Sequence, residues 1–168
     1  MRSKLNYNWG VFYKSLINRH ISDVWGIISA ESNLELFHPF CKKNKPIKWS
    51  KESSIDEIEY LNGFIFKREF SSWKDCEGYD LFIQQLGKSY SYVEWRLLQD
   101  GPKCQIKITV FPYLFNQGNK VINYLPFYMI VRPLLLKYLR AVVSGLKWYA
   151  ENGYPTPKNH FGRHIWFS

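Results

Sequence analysis

In the stretch FIFKREF, residues 64–70, strand alternation puts Arg68 on one face with Phe64, Phe66 and Phe70. A cation on an apolar face needs a carboxylate or a ligand as partner, unless it lies near a sheet rim and reaches water. His38 stands before Pro39, and an imidazole with its ordinary pKa of about 6.5 suits a general base. Local spacing sets no Ser, Cys or carboxylate beside it. Cys41 follows three residues on, but Pro39 breaks any helical register. The plainer role for His38 is bonding backbone at a helix end. Glu57, Glu59 and Glu69 are the central carboxylates, and Glu57 and Glu59 flank Ile58 and are expected to face water. Acid–base pairs need opposed environments, which this spacing does not supply. His160 and His164 are four apart, with Gly162 between them and no third ligand nearby. Zinc takes three or four protein ligands, so no metal site is expected. No cofactor and no catalytic residue is expected either.

Elements must position these groups. Residues 7–17 are aromatic and β-branched enough for a strand. Ser22-Asp23 offers a cap for a helix carrying Val24, Trp25, Ile27 and Ile28 on one face. A second short helix runs from Glu31 to Phe37 and stops at His38-Pro39. Short strands follow from about 42 to 115, the first candidate at Pro46–Trp49, punctuated by Asn62-Gly63, Gly87-Lys88 and Asp100-Gly101-Pro102. In the last strand Cys104, Ile106, Ile108 and Val110 face one way and Gln105, Lys107 and Thr109 the other. That is a half-buried antiparallel sheet. A long helix is expected over about Leu125–Glu151, kinked at Pro133. Its polar positions form one stripe, Lys137, Arg140, Ser144, Lys147 and Glu151, so most of it should be covered. Gly153 and Pro155 end it.

Composition narrows the class. A chain of 168 residues points to one domain with a core that needs no staple. The aromatic share, 18%, is high enough to fill a dense core or to wall a cavity for a flat or greasy ligand. Net charge is +9, but the charges are scattered, and no long basic run appears. A transient anionic membrane surface remains a candidate partner through Lys137, Arg140 and Lys147. Tyr90 and Tyr92 with Glu94 and Arg96 would suit base stacking, yet no RNP-like or GxxG motif supports nucleic acid. Three unspaced cysteines, Cys41, Cys76 and Cys104, fit reduced thiols and a cytoplasmic location. The start, MRSKLNYNWGVF, lacks the apolar run of a signal peptide. Arg132, Lys137 and Arg140 interrupt the apolar stretch 125–146, against a membrane span.

The order of elements, with HISDVWGIISAESNLELFHPF at 20–40, resembles the START/Bet v 1-like (SRPBCC) superfamily. Within it, the polyketide cyclase/dehydrase-like branch looks nearest. The pieces that match are Val24-Trp25, the short helix Asn33–Phe37, and His38-Pro39 before a strand. The resemblance implies an α+β helix-grip fold: a curved antiparallel sheet of about seven strands around a long C-terminal helix. It implies a domain over 1–152, leaving 153–168 as a tail expected to dock on it. The function it implies is binding or transport of a small hydrophobic or amphipathic ligand: a lipid, isoprenoid or polyketide-like molecule. A cyclase or dehydratase acting in the same cavity is the alternative, and an RNA- or ribosome-associated module the third. The expected wall is Trp25, Phe66, Phe70, Phe82, Trp95 and Met129, with Phe37, His38 and Leu136 beside it and Arg68 as the polar handle. Oligomeric state is left open.

Overall fold

A computed structural model describes residues 3–168; Met1 and Arg2, part of the expected domain and of the leader reading, lie outside the described residues. Seven strands form one antiparallel sheet: β1 (Val11–Ile17), β2 (Cys41–Lys48), β3 (Ile55–Tyr60), β4 (Ile65–Lys74), β5 (Gly78–Gln85), β6 (Ser91–Asp100) and β7 (Lys103–Phe111). Their spatial order is β1-β7-β6-β5-β4-β3-β2. Strands two to seven are thus a meander, and β1 closes the far edge against β7. Helices α1 (Ile21–Ile28) and α2 (Leu34–Phe37) bridge β1 to β2. The C-terminal helix crosses the inner face of the curved sheet, giving the α+β helix-grip architecture.

The turns follow local chemistry. Gly63 takes φ +85° in the expected Asn62-Gly63 turn, and Gly87 and Gly101 also sit at positive φ. At Gly78 (φ +133°) β5 passes so close to β6 that an added Cβ would lie 1.9 Å from the Trp95 carbonyl oxygen. Only glycine permits that approach, which lets the strand bend around the core.

Several boundaries depart from expectation. The cap of α1 is His20, whose Nδ1 accepts from the Ser22 amide, rather than Ser22-Asp23. The first strand after the helices begins at Cys41, not Pro46. The long helix starts earlier than Leu125: α3 (Lys120–Pro126) is capped by Asn119, whose Oδ1 accepts from the amides of Val121 and Ile122. A π turn, Phe127–Val131, then leads into α4 (Arg132–Asn152). The irregularity expected at Pro133 therefore falls just before it, where the Arg132 amide bonds the Phe127 carbonyl five residues back. Coverage is also less complete than the polar stripe implied. Between 120 and 131 only Phe127 and Val131 are buried, while Val121, Ile122, Leu125, Met129 and Ile130 are exposed.

One helix–helix contact fixes the grip. A Cβ on Gly145 of α4 would lie 2.1 Å from the Phe37 carbonyl oxygen, so α4 and the end of α2 meet backbone to backbone. The Gly145 carbonyl accepts from Thr156 Oγ1 at 2.9 Å, which ties the following segment to the same point.

Candidate functional site: a capped cavity

The interior is divided in two. At one end Trp25, Trp49, Phe70, Trp73 and Tyr79 pack ring on ring, with centroids 5.0–6.3 Å apart. This end is solid. At the other end a cavity of about 360 Å³ lies between sheet and helix, within the range of small-molecule sites. Leu81 and Ile83 of β5, Val93 and Trp95 of β6, and Leu135 and Val142 of α4 are among its apolar walls. Phe64 (47% exposed), Leu114 (38%) and Ile165 (80%) also line it and mark its rim.

The expected site residues therefore separate. His38, Phe66, Arg68 and Trp95 line the cavity. The other six do not. Phe70 and Trp25 belong to the aromatic plug at the closed end. Phe37 is fully buried behind the wall, edge-on to Trp95 at 6.2 Å. Phe82 pairs with Tyr92 across β5 and β6 on the outer face, because alternation gives the inner face to its neighbours Leu81 and Ile83. Met129 is 69% exposed, on the side of the helix turned from the sheet. Leu136 is half-buried against the core, but its neighbour Leu135 is the one that reaches the void.

Arg68 is 4% exposed and does not reach water at the rim. Its partner is Asp56, directly opposite on β3 and wholly buried. The guanidinium donates from Nε to Oδ1 at 2.7 Å and from Nη2 to Oδ2. Burial alone would push the Arg68 pKa down, but the Asp56 charge and hydrogen bonds outweigh it and keep the cation charged. Asn44 Nδ2 also donates to Asp56 Oδ2 at 2.9 Å, and its Oδ1 accepts from the Leu34 amide, joining α2 to the pair.

Beside this pair lies a second polar group. His38 Nε2 is 2.8 Å from the Tyr138 hydroxyl, which is 3.0 Å from the Tyr60 hydroxyl. All three residues line the cavity. The Phe40 amide donates to His38 Nδ1 at 3.2 Å, so the neutral ring carries its proton on Nε2. Burial, with Arg68 and Lys158 adding to it, lowers the His38 pKa to about 3. Burial raises the Tyr138 pKa to about 12 and the Tyr60 pKa well above its ordinary value, where Tyr138 adds to the effect. Both phenols thus stay protonated near neutral pH. With both ring nitrogens engaged, His38 is poorly placed as a base.

The last residues cover this corner. The Thr156 amide donates to the Leu36 carbonyl and the Asn159 amide to the Pro39 carbonyl, at 2.8 and 2.9 Å. Asn62 of the β3–β4 turn donates to the Trp166 carbonyl at 2.7 Å. Phe167 stacks on Tyr60 with centroids 4.3 Å apart and lies 4.8 Å from Tyr138. His164 is buried, with Nε2 2.9 Å from the Leu134 carbonyl and Nδ1 accepting from the Trp166 amide. His160 packs on Trp148 instead, so the two tail histidines do not converge. Among the described residues no cluster of three or more His, Cys, Asp or Glu side chains could hold a metal.

Asp56, Tyr60 and Tyr138 complete the polar corner and were not expected there. Alternation in IDEIEYL carries the signal for two of them, since it places Asp56 on the face of Ile58 and Tyr60. For Tyr138 the signal is its place in the series Val131, Leu135, Tyr138, Leu139, Val142, all facing the cavity.

No protein-family model matches the sequence, and no curated protein does. Solved structures do match. DynU16, from the dynemicin biosynthetic locus, aligns at TM-score 0.67 and 14% identity over 87% of this chain. This chain spans about half of DynU16, 48% of its length. Truncated norcoclaurine synthase from Thalictrum flavum aligns at TM-score 0.61 and 13% identity, over 86% of this chain and 94% of that one. CalU16 from Micromonospora echinospora aligns at TM-score 0.60 and 11% identity, over 88% and 77%. The fold is a helix grip. At these identities the helix-grip likeness establishes architecture alone.

Proposed function

We propose that this helix-grip protein binds a small hydrophobic ligand in the cavity between α4 and the sheet, with residues 153–168 acting as a cap on the domain. The observation that carries this reading is the cavity itself: about 360 Å³ and mostly apolar-walled, with a cluster of polar groups at Arg68, His38, Tyr60 and Tyr138. Apolar walls around a void stabilise a guest by removing it from water, at roughly 25 cal/mol per Å² buried. Native mass spectrometry of the freshly purified protein, with solvent extraction, tests it. A small apolar molecule at up to one per chain is expected. A clean protein that also fails to take up added naphthalene-sized probes would contradict the reading.

An anionic membrane is the source of ligand that the surface favours. Between residues 101 and 150 there is no Asp or Glu, while Lys103, Lys107, Lys120, Arg132, Lys137, Arg140 and Lys147 are all basic. Within that stretch Val121, Ile122, Leu125, Met129 and Ile130 expose an apolar face that runs directly into Val131 of the cavity wall. An exposed apolar helix face in a stretch whose charges are all positive suits the interface of an anionic bilayer. No helix among the described residues is long and apolar enough to cross one. Sedimentation with vesicles should require anionic lipid and weaken with salt. Equal binding to neutral vesicles would remove the electrostatic part, and none to either would remove the membrane.

A further inference from the structure

Within the polar corner, the His38–Tyr138–Tyr60 group has one hydrogen more than it can place. His38 offers Nε2–H, because Nδ1 is held as an acceptor by the Phe40 amide. Tyr60 and Tyr138 each offer one O–H. The three donors share two contacts, His38 to Tyr138 at 2.8 Å and Tyr138 to Tyr60 at 3.0 Å. The first consumes Nε2–H and the second consumes one hydroxyl hydrogen. Whichever tyrosine donates in the second, the other hydroxyl hydrogen has no acceptor among the described residues. His38 and Tyr60 are each 2% exposed, and all three residues line the cavity. A buried donor without an acceptor is unfavourable, so an oxygen from a guest is favoured there.

The charge of the corner narrows that oxygen further. Arg68 also lines the cavity; Asp56 engages two of its nitrogens and balances its charge, and the remaining N–H groups are further donors without a net charge at the pair. His38 stays neutral, since protonation would put a hydrogen on Nδ1 against the Phe40 amide. The corner is then a net-neutral donor site rather than an anion site.

We propose that the cavity selects an apolar ligand bearing a neutral carbonyl oxygen, a ketone, ester or quinone-type group, seated on the free hydroxyl of the Tyr60–Tyr138 pair. This deepens the ligand-binding reading and rests on it. The rest of the ligand meets a wall that is mostly aliphatic and aromatic, with Gln85, Ser91 and Tyr113 as its other polar residues.

Three probes of nearly equal shape test the proposal on the full-length protein by titration calorimetry: 2-acetylnaphthalene, 2-isopropenylnaphthalene and 2-naphthoate. The first two differ in C=O against C=CH2, so their affinity ratio reads the donor alone. The ketone is expected to bind about tenfold tighter than the alkene, the worth of one hydrogen bond, and tighter than the carboxylate. Its carbonyl stretch in the infrared should fall on binding. In a His38→Leu/Tyr60→Phe/Tyr138→Phe triple variant, verified as folded by circular dichroism, neither hydroxyl nor ring N–H remains at this group, and the ketone's advantage and the infrared shift should both shrink. Equal affinity for ketone and alkene in the wild type would overturn the carbonyl proposal while leaving ligand binding standing. A preference for naphthoate would overturn the neutral-corner argument. Binding of none of the three would overturn both this proposal and the cavity reading beneath it.

Discussion

Replacing Asp56 with Asn changes one oxygen to an amide and almost no volume, so its effect isolates the charge opposite Arg68. In the native protein Asp56 is wholly buried and accepts from Arg68 Nε, Arg68 Nη2 and Asn44 Nδ2. The amide has only one acceptor oxygen, and its NH2 must face a guanidinium or the Asn44 amide. Arg68 is then a buried cation without a counter-charge. Removing one partner of a buried pair costs about 3–5 kcal/mol. For a chain of this length each kcal/mol lowers Tm by about 2–4 °C, so Asp56→Asn should melt about 6–20 °C below wild type. Thermal melting followed by circular dichroism measures the shift, and urea denaturation the free energy. The second arm is Asp56→Leu/Arg68→Met, which removes both charges and should recover most of the loss. Asn44 keeps the Glu57 carbonyl and Leu34 amide as partners in that variant. A loss below about 1 kcal/mol in Asp56→Asn, the scale of an exposed pair, would refute the buried-pair account.

The His38 pKa of about 3 lies below its unfolded value of 6.5, so the unfolded chain takes up the proton first. Its contribution to stability is therefore full above pH 6.5 and is lost as pH falls toward 3, at up to about 1.4 kcal/mol per pH unit. His38→Gln should flatten the stability profile between pH 7 and 4, leaving the same-signed slope from His164, whose pKa burial also lowers; an unchanged slope would count against the buried neutral ring. Gly145→Ala forces a methyl into the Phe37 carbonyl and should cost about 1–3 kcal/mol in urea denaturation, as overpacking does; a neutral result would mean that α2 and α4 are not held at this distance. Deleting residues 163–168 removes Phe167 from Tyr60 and should lose at least the roughly 1.5–3 kcal/mol of one large apolar side chain, while speeding ligand release; an unchanged Tm would contradict a seated cap.

Much of the architecture was legible because local signals agree with the global fold. Asn62-Gly63, Gly87 and Gly101 mark turns that only small or positive-φ residues make, and Ser91, Val93 and Trp95 alternate inward as their spacing requires. The start of the long helix was not legible from apolar periodicity, since Val121, Ile122 and Leu125 are apolar yet face out; its Asn119 cap was the better signal. At the site, strand alternation placed Phe66, Arg68 and Trp95 toward the cavity. It could not say where along the strand a void replaces packed rings, so Phe70, two residues beyond Arg68, lies in the solid end. Asp56 stands in a run with two other carboxylates, Glu57 and Glu59, and residue type alone does not separate the buried one from the partly solvated pair. A cross-strand pair becomes visible only once register sets Asp56 opposite Arg68.

The cavity claim meets its most direct test in calorimetric titration of 2-acetylnaphthalene into wild type and into Val142→Trp, which fills the void from α4, with Val93→Phe as a second filler from β6 and circular dichroism to verify folding. The account predicts one site per chain in wild type and none in folded variants of either kind. Undiminished binding in a folded, filled variant would place the ligand elsewhere and contradict the cavity as the site.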